Sequence, residues 1–163
     1  MNMMKNPTIR DASAPSLAAG VEVGRLSHLI GYALRRAQVT VLGDLAETMQ
    51  AEELRAVQFA VLEVLLASPG MRANQIAAAL GIRTTNFVPL FDALERRGLV
   101  ERRAVTGDRR AKGLFLTEAG AALIDRLATA IAAHEARFTA RIGTDGKARL
   151  LALLARLVDP AAD

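Results

Sequence analysis

Cysteine is absent from all 163 residues. Its absence excludes disulfides, thiolate zinc sites and a thiol redox switch together. Tryptophan is absent too, Tyr32 is the one tyrosine, and aromatic residues make up only 4% of the chain. An apolar share of 52%, rich in Ala and Leu, points instead to helices. There is no 18-residue apolar run free of charge, so no membrane span is expected. The opening MNMMKNPTIRDASAPS lacks the apolar stretch of a signal peptide, so a cytoplasmic protein is expected. His28 and His134 have no cysteine or clustered acid beside them, so no metal is expected. There is no His-x-x-x-His pair, glycine-rich phosphate loop or nucleophile elbow. Neither a cofactor nor an enzyme activity is therefore expected.

The length suits one domain or two small lobes sharing a core. Net charge is +4, and its placement says more than its size. Met71 to Lys112 holds nine basic residues against four acids, a surplus of five, while the rest of the chain is −1. A local surplus of this kind attracts phosphate.

Residues 1–16, with Pro7 and Pro15 and no periodicity, read as a flexible arm. Over 22–49, Leu26, Leu29, Ile30, Ala33, Leu34, Ala37, Val41, Leu42, Leu45 and Met49 recur at three and four, which predicts one long amphipathic helix. Helices follow over Leu54–Leu66, stopped by Ser68-Pro69-Gly70, and over Ala73–Leu80, ended by Gly81. The next begins near Thr84 or Thr85, whose hydroxyls suit an N-cap, and stops at Gly98. Two strands, Leu99–Arg103 and Gly113–Leu116, flank a tip at Val105–Arg110. Thr117 caps a long helix to about Ile142, and a last helix runs from Thr144 or Asp145 to Val158. Leu150, Leu151, Leu153, Leu154 and Leu157 give that last helix more apolar surface than it can hide alone, so a second subunit is expected to cover it.

The expected fold class is mainly α with a small β-wing: a winged helix-turn-helix lobe over 50–117 and a helical dimerisation lobe from 17–49 and 118–158. In a helix-turn-helix the second helix enters the major groove by its N-terminal residues, here Arg83, Thr84, Thr85 and Asn86. Asn pairs with adenine, Arg with guanine, and a Thr methyl meets a thymine methyl. Phe87, Leu90, Phe91 and Leu94 repeat at helical spacing and are expected to face the core. In the wing, Arg109, Arg110 and Lys112 are candidates for backbone or minor-groove contact, and Asp108 for orienting a neighbouring arginine.

Five segments carry a family resemblance: Gln58-Phe59-Ala60-Val61-Leu62, Ile76-Ala77 with Leu80-Gly81-Ile82, Leu94 through Val100, Asp108 through Lys112, and Leu116-Thr117-Glu118-Ala119-Gly120. Together they resemble the MarR family of transcriptional regulators, in element order over about residues 22–158. The resemblance implies a winged-helix homodimer, a repressor on a palindromic operator in double-stranded DNA. It also implies release by a small aromatic or phenolic ligand bound between the lobes.

Two positions depart from the family pattern. Pro89 stands where a basic residue is common, which shifts weight to Thr85 and Asn86. Arg72 stands where a Ser or Thr cap is common, and is read as a phosphate contact.

His28, Tyr32, Arg35 and Arg36 share one face of the first helix by spacing, and His134, Arg137, Phe138 and Arg141 share one on the penultimate. By resemblance these helices border an effector pocket, with Phe59 as a further candidate. Arginines with Tyr and His suit an aromatic carboxylate or the anionic parts of an acyl thioester. The competing reading is a solvated face or intersubunit salt bridges. Two functional alternatives stay open: an effector-independent, nucleoid-type DNA binder, and a protein-interaction module using the basic wing.

Overall fold

The computed structural model describes residues 21–105 and 108–158, with side chains left out over 105–111. The expected arm at 1–16 lies outside the described residues. The helices are α1 (Ile30–Thr48), α2 (Ala56–Ala67), α3 (Ala73–Ala79), α4 (Thr84–Arg96), α5 (Glu118–Ile142) and α6 (Thr144–Val158). Strands β1 (Val100–Val105) and β2 (Asp108–Leu116) form one antiparallel pair between α4 and α5. The chain divides into two compact units within α1, between Val39 and Thr40.

The single long helix expected over 22–49 is not formed. Gly24–His28 is a 3-10 turn, Leu29 is extended with ψ 125°, and only then does α1 begin. Apolar spacing cannot register such a break, because 3-10 and α segments share a period near three. Gly24, which opens the 3-10 turn, takes φ +52°, outside the helical region, so no α-helix runs through it. A second 3-10 turn, Gln50–Glu52, follows α1 and ends at Glu53 with φ 49°.

The core lies in the second unit. Val61, Leu62 and Leu65 of α2 meet Ile76 and Ala77 of α3, Phe87, Phe91 and Leu94 of α4, and Leu99, Val100 and Leu114 around the wing. Leu123, Ile124 and Leu127 from α5 complete it, with Met49 and Leu54. Phe87, Phe91 and Leu94 are buried as the spacing predicted, and Leu90 is partly buried against them.

The strands exceed the sequence reading. They pair from Val100↔Leu116 through Ala104↔Lys112, then the register jumps to Val105↔Asp108. Asp108, Arg109 and Arg110 therefore belong to β2 rather than to a six-residue tip. Leu114 also exchanges backbone bonds with the segment before α3: Gly70 N–H donates to Leu114 O at 2.8 Å, and Leu114 N–H to Met71 O at 3.0 Å.

Two capping expectations change. The α4 N-cap is Arg83, without a side-chain bond, so Thr84 and Thr85 lie inside the helix rather than at its cap. At α3 the Arg72 N-cap is partly compensated, because its N–H donates to Gln75 Oε1 at 2.9 Å. Arginine has no acceptor, so only this half of a capping box forms. Arg55 and Gln58 repeat the arrangement at α2, at 3.0 Å.

Leu116-Thr117-Glu118-Ala119-Gly120 has a clear physical basis. Thr117 Oγ1 accepts from Gly120 N–H at 3.1 Å, capping α5, and donates to Gly98 O at 2.7 Å. Thr117 N–H donates to Leu99 O at 3.1 Å. A Cβ on Gly120 would run into that same Leu99 oxygen and stand 2.7 Å from Leu116 Cδ1. One threonine and one glycine thus seat α5 directly on the α4–β1 corner. Gly120→Ala is expected to destabilise the protein by about 1–3 kcal/mol through overpacking, and Thr117→Ala by about 1 kcal/mol through the lost cap. Denaturant unfolding at fixed protein concentration measures both; a neutral Gly120→Ala would show that the corner opens without strain.

Candidate DNA interface

The α3–α4 turn is closed by Gly81 at φ +64° and by Ile82 N–H donating to Ala77 O at 2.8 Å. Arg83 then enters α4 in extended conformation, and its carbonyl accepts from Asn86 and Phe87 N–H. Arg83, Thr84, Thr85 and Asn86 are all exposed. The opposite side of α4 is sealed: Phe87 and Phe91, with ring centroids 6.0 Å apart, and Leu94 are each no more than 1% exposed. Burial of that row turns the first turn of α4 outward. Pro89 stays inside the helix, which is assigned unbroken from Thr84 to Arg96.

The basic surplus around α4 has two distinct uses. Arg102 of β1 lies on the core side of the pair, opposite Leu114. It bonds Asp92 at 2.6 Å and Glu95 as well, both on α4, and its guanidinium stacks 4.5 Å from the Phe91 ring centroid. It fastens the wing to the reading helix. Arg97, at the far end of α4, donates to Glu53 O at 2.9 Å and Glu52 O at 2.8 Å, anchoring the helix to the 3-10 turn after α1. Arg103 pairs with Glu101 and lies over Phe115.

Arg97, Arg102 and Arg103 are thus engaged within the chain. Arg72, Arg83 and Lys112 are exposed on the same lobe. The side chains of Asp108, Arg109 and Arg110 lie outside the described residues, although their backbone is in β2. The anchoring arginines were missed in the sequence. Their signal was present, as a strand arginine two residues beyond Val100 and a pair of acids three apart on α4.

The second candidate set is partly assembled. His28 is exposed in the 3-10 turn, so extended Leu29 removes it from the helical face it was expected to share with Tyr32, Arg35 and Arg36. Tyr32 and Arg36 are half-buried on α1, and Phe59 packs half-buried against the core. On α5 the structure brings His134, Arg137 and Phe138 together. The His134 and Phe138 rings meet edge-on at 5.1 Å, and Arg141 stacks 5.0 Å from the Phe138 ring centroid.

What the sequence did not indicate is Asp44, the α1 carboxylate at the centre of this group. Arg137 donates to it from Nε at 3.2 Å and from Nη2 at 2.8 Å, and from Nη2 to Thr48 Oγ1 at 3.3 Å. His134 is 2% exposed, and its Nδ1 lies 3.6 Å from Asp44 Oδ1 without a hydrogen bond. Arg137 is therefore an intramolecular tie between α1 and α5. Its hydrogen bonds, outweighing partial burial and aided by its charge and by His134, hold the Asp44 carboxyl below the ordinary value of 3.8.

Among the described residues no group of three or more His, Cys, Asp or Glu could hold a metal, and no helix is long and apolar enough to cross a membrane.

Two helices joined by a tight turn, an outward second helix and a two-stranded wing define a winged helix-turn-helix transcriptional regulator. The MarR family profile matches residues 54–111. The repressor CouR, solved on a 23-mer DNA duplex, is 41% identical, with a TM-score of 0.80 over 85% of this chain and 99% of that one. CouR bound to p-coumaroyl-CoA is 40% identical, with a TM-score of 0.77 over 85% and 97%. A transcriptional regulatory protein assigned to the hcr operon of Thauera aromatica is 28% identical over 149 residues, 91% of this chain and 90% of that protein. The chain belongs to the MarR family.

A folded-state pKa held below the unfolded value stabilises above the unfolded pKa, and the contribution is lost as pH falls through the folded value. Asp44→Asn is therefore expected to be less stable than wild type at neutral pH. The gap should close as pH drops below about 3.8. Urea unfolding of both proteins at neutral and acid pH tests this, and a gap independent of pH would remove the Asp44 carboxylate from the tie.

Proposed function

We propose that this chain is a homodimeric transcriptional repressor that binds a palindromic operator and is released by an aromatic acyl-CoA thioester. The observation that carries the reading is its 40–41% identity to CouR, whose DNA-bound and p-coumaroyl-CoA-bound forms both match over 85% of this chain. The exposed α4 N-terminus supplies matching chemistry for DNA. Thr85 and Asn86 are assigned to base edges, Arg83 and Arg72 to phosphates beside them, and Arg109, Arg110 and Lys112 of the wing to the backbone or minor groove. Asp108 is assigned to orienting a wing arginine. It works in the cytoplasm and has no catalytic step of its own.

Dimerisation is assigned to 17–49 and 118–158. Its support is apolar surface exposed in the single chain. The first unit exposes Leu26, Leu29, Ile30 and Leu34, and α6 exposes Leu150, Leu151, Leu153 and Leu157. Patches of this kind on both chain ends are what a second copy would cover. A two-fold pair places its reading helices about one turn, ~34–36 Å, apart.

For the ligand, His28, Tyr32, Arg36, Phe59, His134 and Phe138 are assigned to effector binding, as the family resemblance implies. Arg137 is assigned to holding the helices beside it through Asp44. Aromatic side chains suit an aryl acyl group, and arginines suit the phosphates of coenzyme A.

Binding to the DNA upstream of its own gene, over a salt series and against a scrambled duplex, tests the DNA half. Arg110→Ala is expected to weaken binding to all sequences and lower the salt slope by about 1. Asn86→Ala is expected to erode discrimination about tenfold at one base position. Unchanged binding in both variants would remove the wing and α4 from the interface.

The ligand half is tested on the bound complex with p-coumaroyl-CoA, free p-coumarate and free coenzyme A. Release by the thioester alone supports the reading; release by free p-coumarate at equal concentration would assign the site to the aromatic acid.

A further inference from the structure

Proline is unusual in the middle of a helix, and Pro89 sits where it has consequences. At about 100° per residue, Phe87, Phe91 and Leu94 mark one side of α4, and Thr85 and Pro89 stand one turn apart on the side directly opposite. Burial agrees: the three apolar residues are sealed in the core, and Thr85 and Pro89 are both exposed. The next residues on that outward row are Asp92, tied to Arg102, and Ala93. The outermost ridge at the start of α4 is thus a threonine and a proline, with no cation.

Proline has no N–H, so residue 89 cannot close the i+4 hydrogen bond to the Thr85 carbonyl. Elsewhere in a helix interior that oxygen would be consumed by the backbone. Here it is stripped of its i+4 donor, in a residue that is itself exposed on the ridge.

We propose that Pro89 is a specificity-determining residue that frees the Thr85 main-chain carbonyl to accept a hydrogen bond from a base amine in the major groove. The proposal rests on α4 being the reading helix. The major-groove donors are N4 of cytosine and N6 of adenine, and guanine and thymine offer none at that edge. The carbonyl therefore selects C or A on the contacted strand in each half-site. A basic side chain at 89 would instead select guanine or phosphate, so the proline changes the kind of base that is read, beyond deleting a charge.

The test compares wild type with Pro89→Ala and Pro89→Val on a half-site library. Both variants restore the N–H, and valine keeps apolar bulk at the ridge. Alanine is a better helix former than proline, so folding is favoured by the change. The base amine at the selected position is then deleted, with purine in place of adenine or 2-pyrimidinone in place of cytosine.

The expected result is one half-site position where wild type requires C or A and loses roughly fivefold in affinity without the amine, while both variants lose less than about twofold. Equal losses in all three proteins, or no position requiring an amine, would overturn the proposal. Asn86→Ala, run in parallel, separates two failures. If it shifts base selection while the amine dependence is absent, α4 reads DNA but the carbonyl does not. If it too leaves selection unchanged, the assignment of α4 falls and the proposal falls with it.

Discussion

Burial of one side of α4 is the constraint on which the rest of the interface depends. Phe87, Phe91 and Leu94 have no freedom to leave the core, since truncating a buried aromatic of this kind costs about 3–5 kcal/mol. With that side fixed, geometry decides what faces outward, and Thr85, Asn86 and Pro89 follow without any further choice. The exposed residues need no stabilising role of their own, and so are open to carry recognition. The same burial explains why proline is tolerated at 89. A helix held by tertiary packing can lose one backbone bond, where an isolated 13-residue helix would be marginal.

Charge in this lobe divides between building and reading. Arg102 is the clearest builder: its two acidic partners are on α4, its face rests on Phe91, and its backbone is in the wing. Neutralised and stacked, it adds little to the field that DNA would meet. It fixes instead the relation of wing to helix, which sets whether both reach one stretch of duplex together. Arg97 does the same at the other end of α4 through carbonyl oxygens, contacts that need guanidinium geometry and that a lysine would meet with a single point charge. A net surplus of five over Met71–Lys112 therefore overstates what is available to phosphate.

The sequence was most legible where a short-range rule and packing agreed. Leu116-Thr117-Glu118-Ala119-Gly120 announced a capped helix, and both Thr117 and Gly120 are held by contacts that tolerate few alternatives. The core side of α4 was legible for the same reason. Legibility failed where a rule was silent about its neighbours. Apolar spacing over 22–49 could not see that Gly24 would take a positive φ and Leu29 an extended conformation. Thr84 and Thr85 looked like caps because cap preference ignores where the turn ends, and Ile82 N–H bonding to Ala77 O places the boundary one residue earlier. Asp44 was invisible because its partners lie 93 positions away at Arg137. No local pattern carries a contact of that range.

Helix α5 runs from the core that seats α4 to the Asp44–Arg137 tie. Its first turn is pressed against Leu99 and Leu116 through Gly120, leaving no slack at the corner where α4 passes into the wing. Leu123, Ile124 and Leu127 then share the core that seats α4. Two turns further on, Arg137 holds Asp44 of α1 with buried His134 beside it, and Phe138 lies between His134 and Arg141. A ligand that displaced the Asp44–Arg137 tie would act on the same rigid rod that positions the wing. Packed cores do not deform continuously, so a shift at one end of that rod must appear at the other. The energy required is small. A tenfold loss of operator affinity needs only about 1.4 kcal/mol of preference for a helix spacing that no longer fits the duplex.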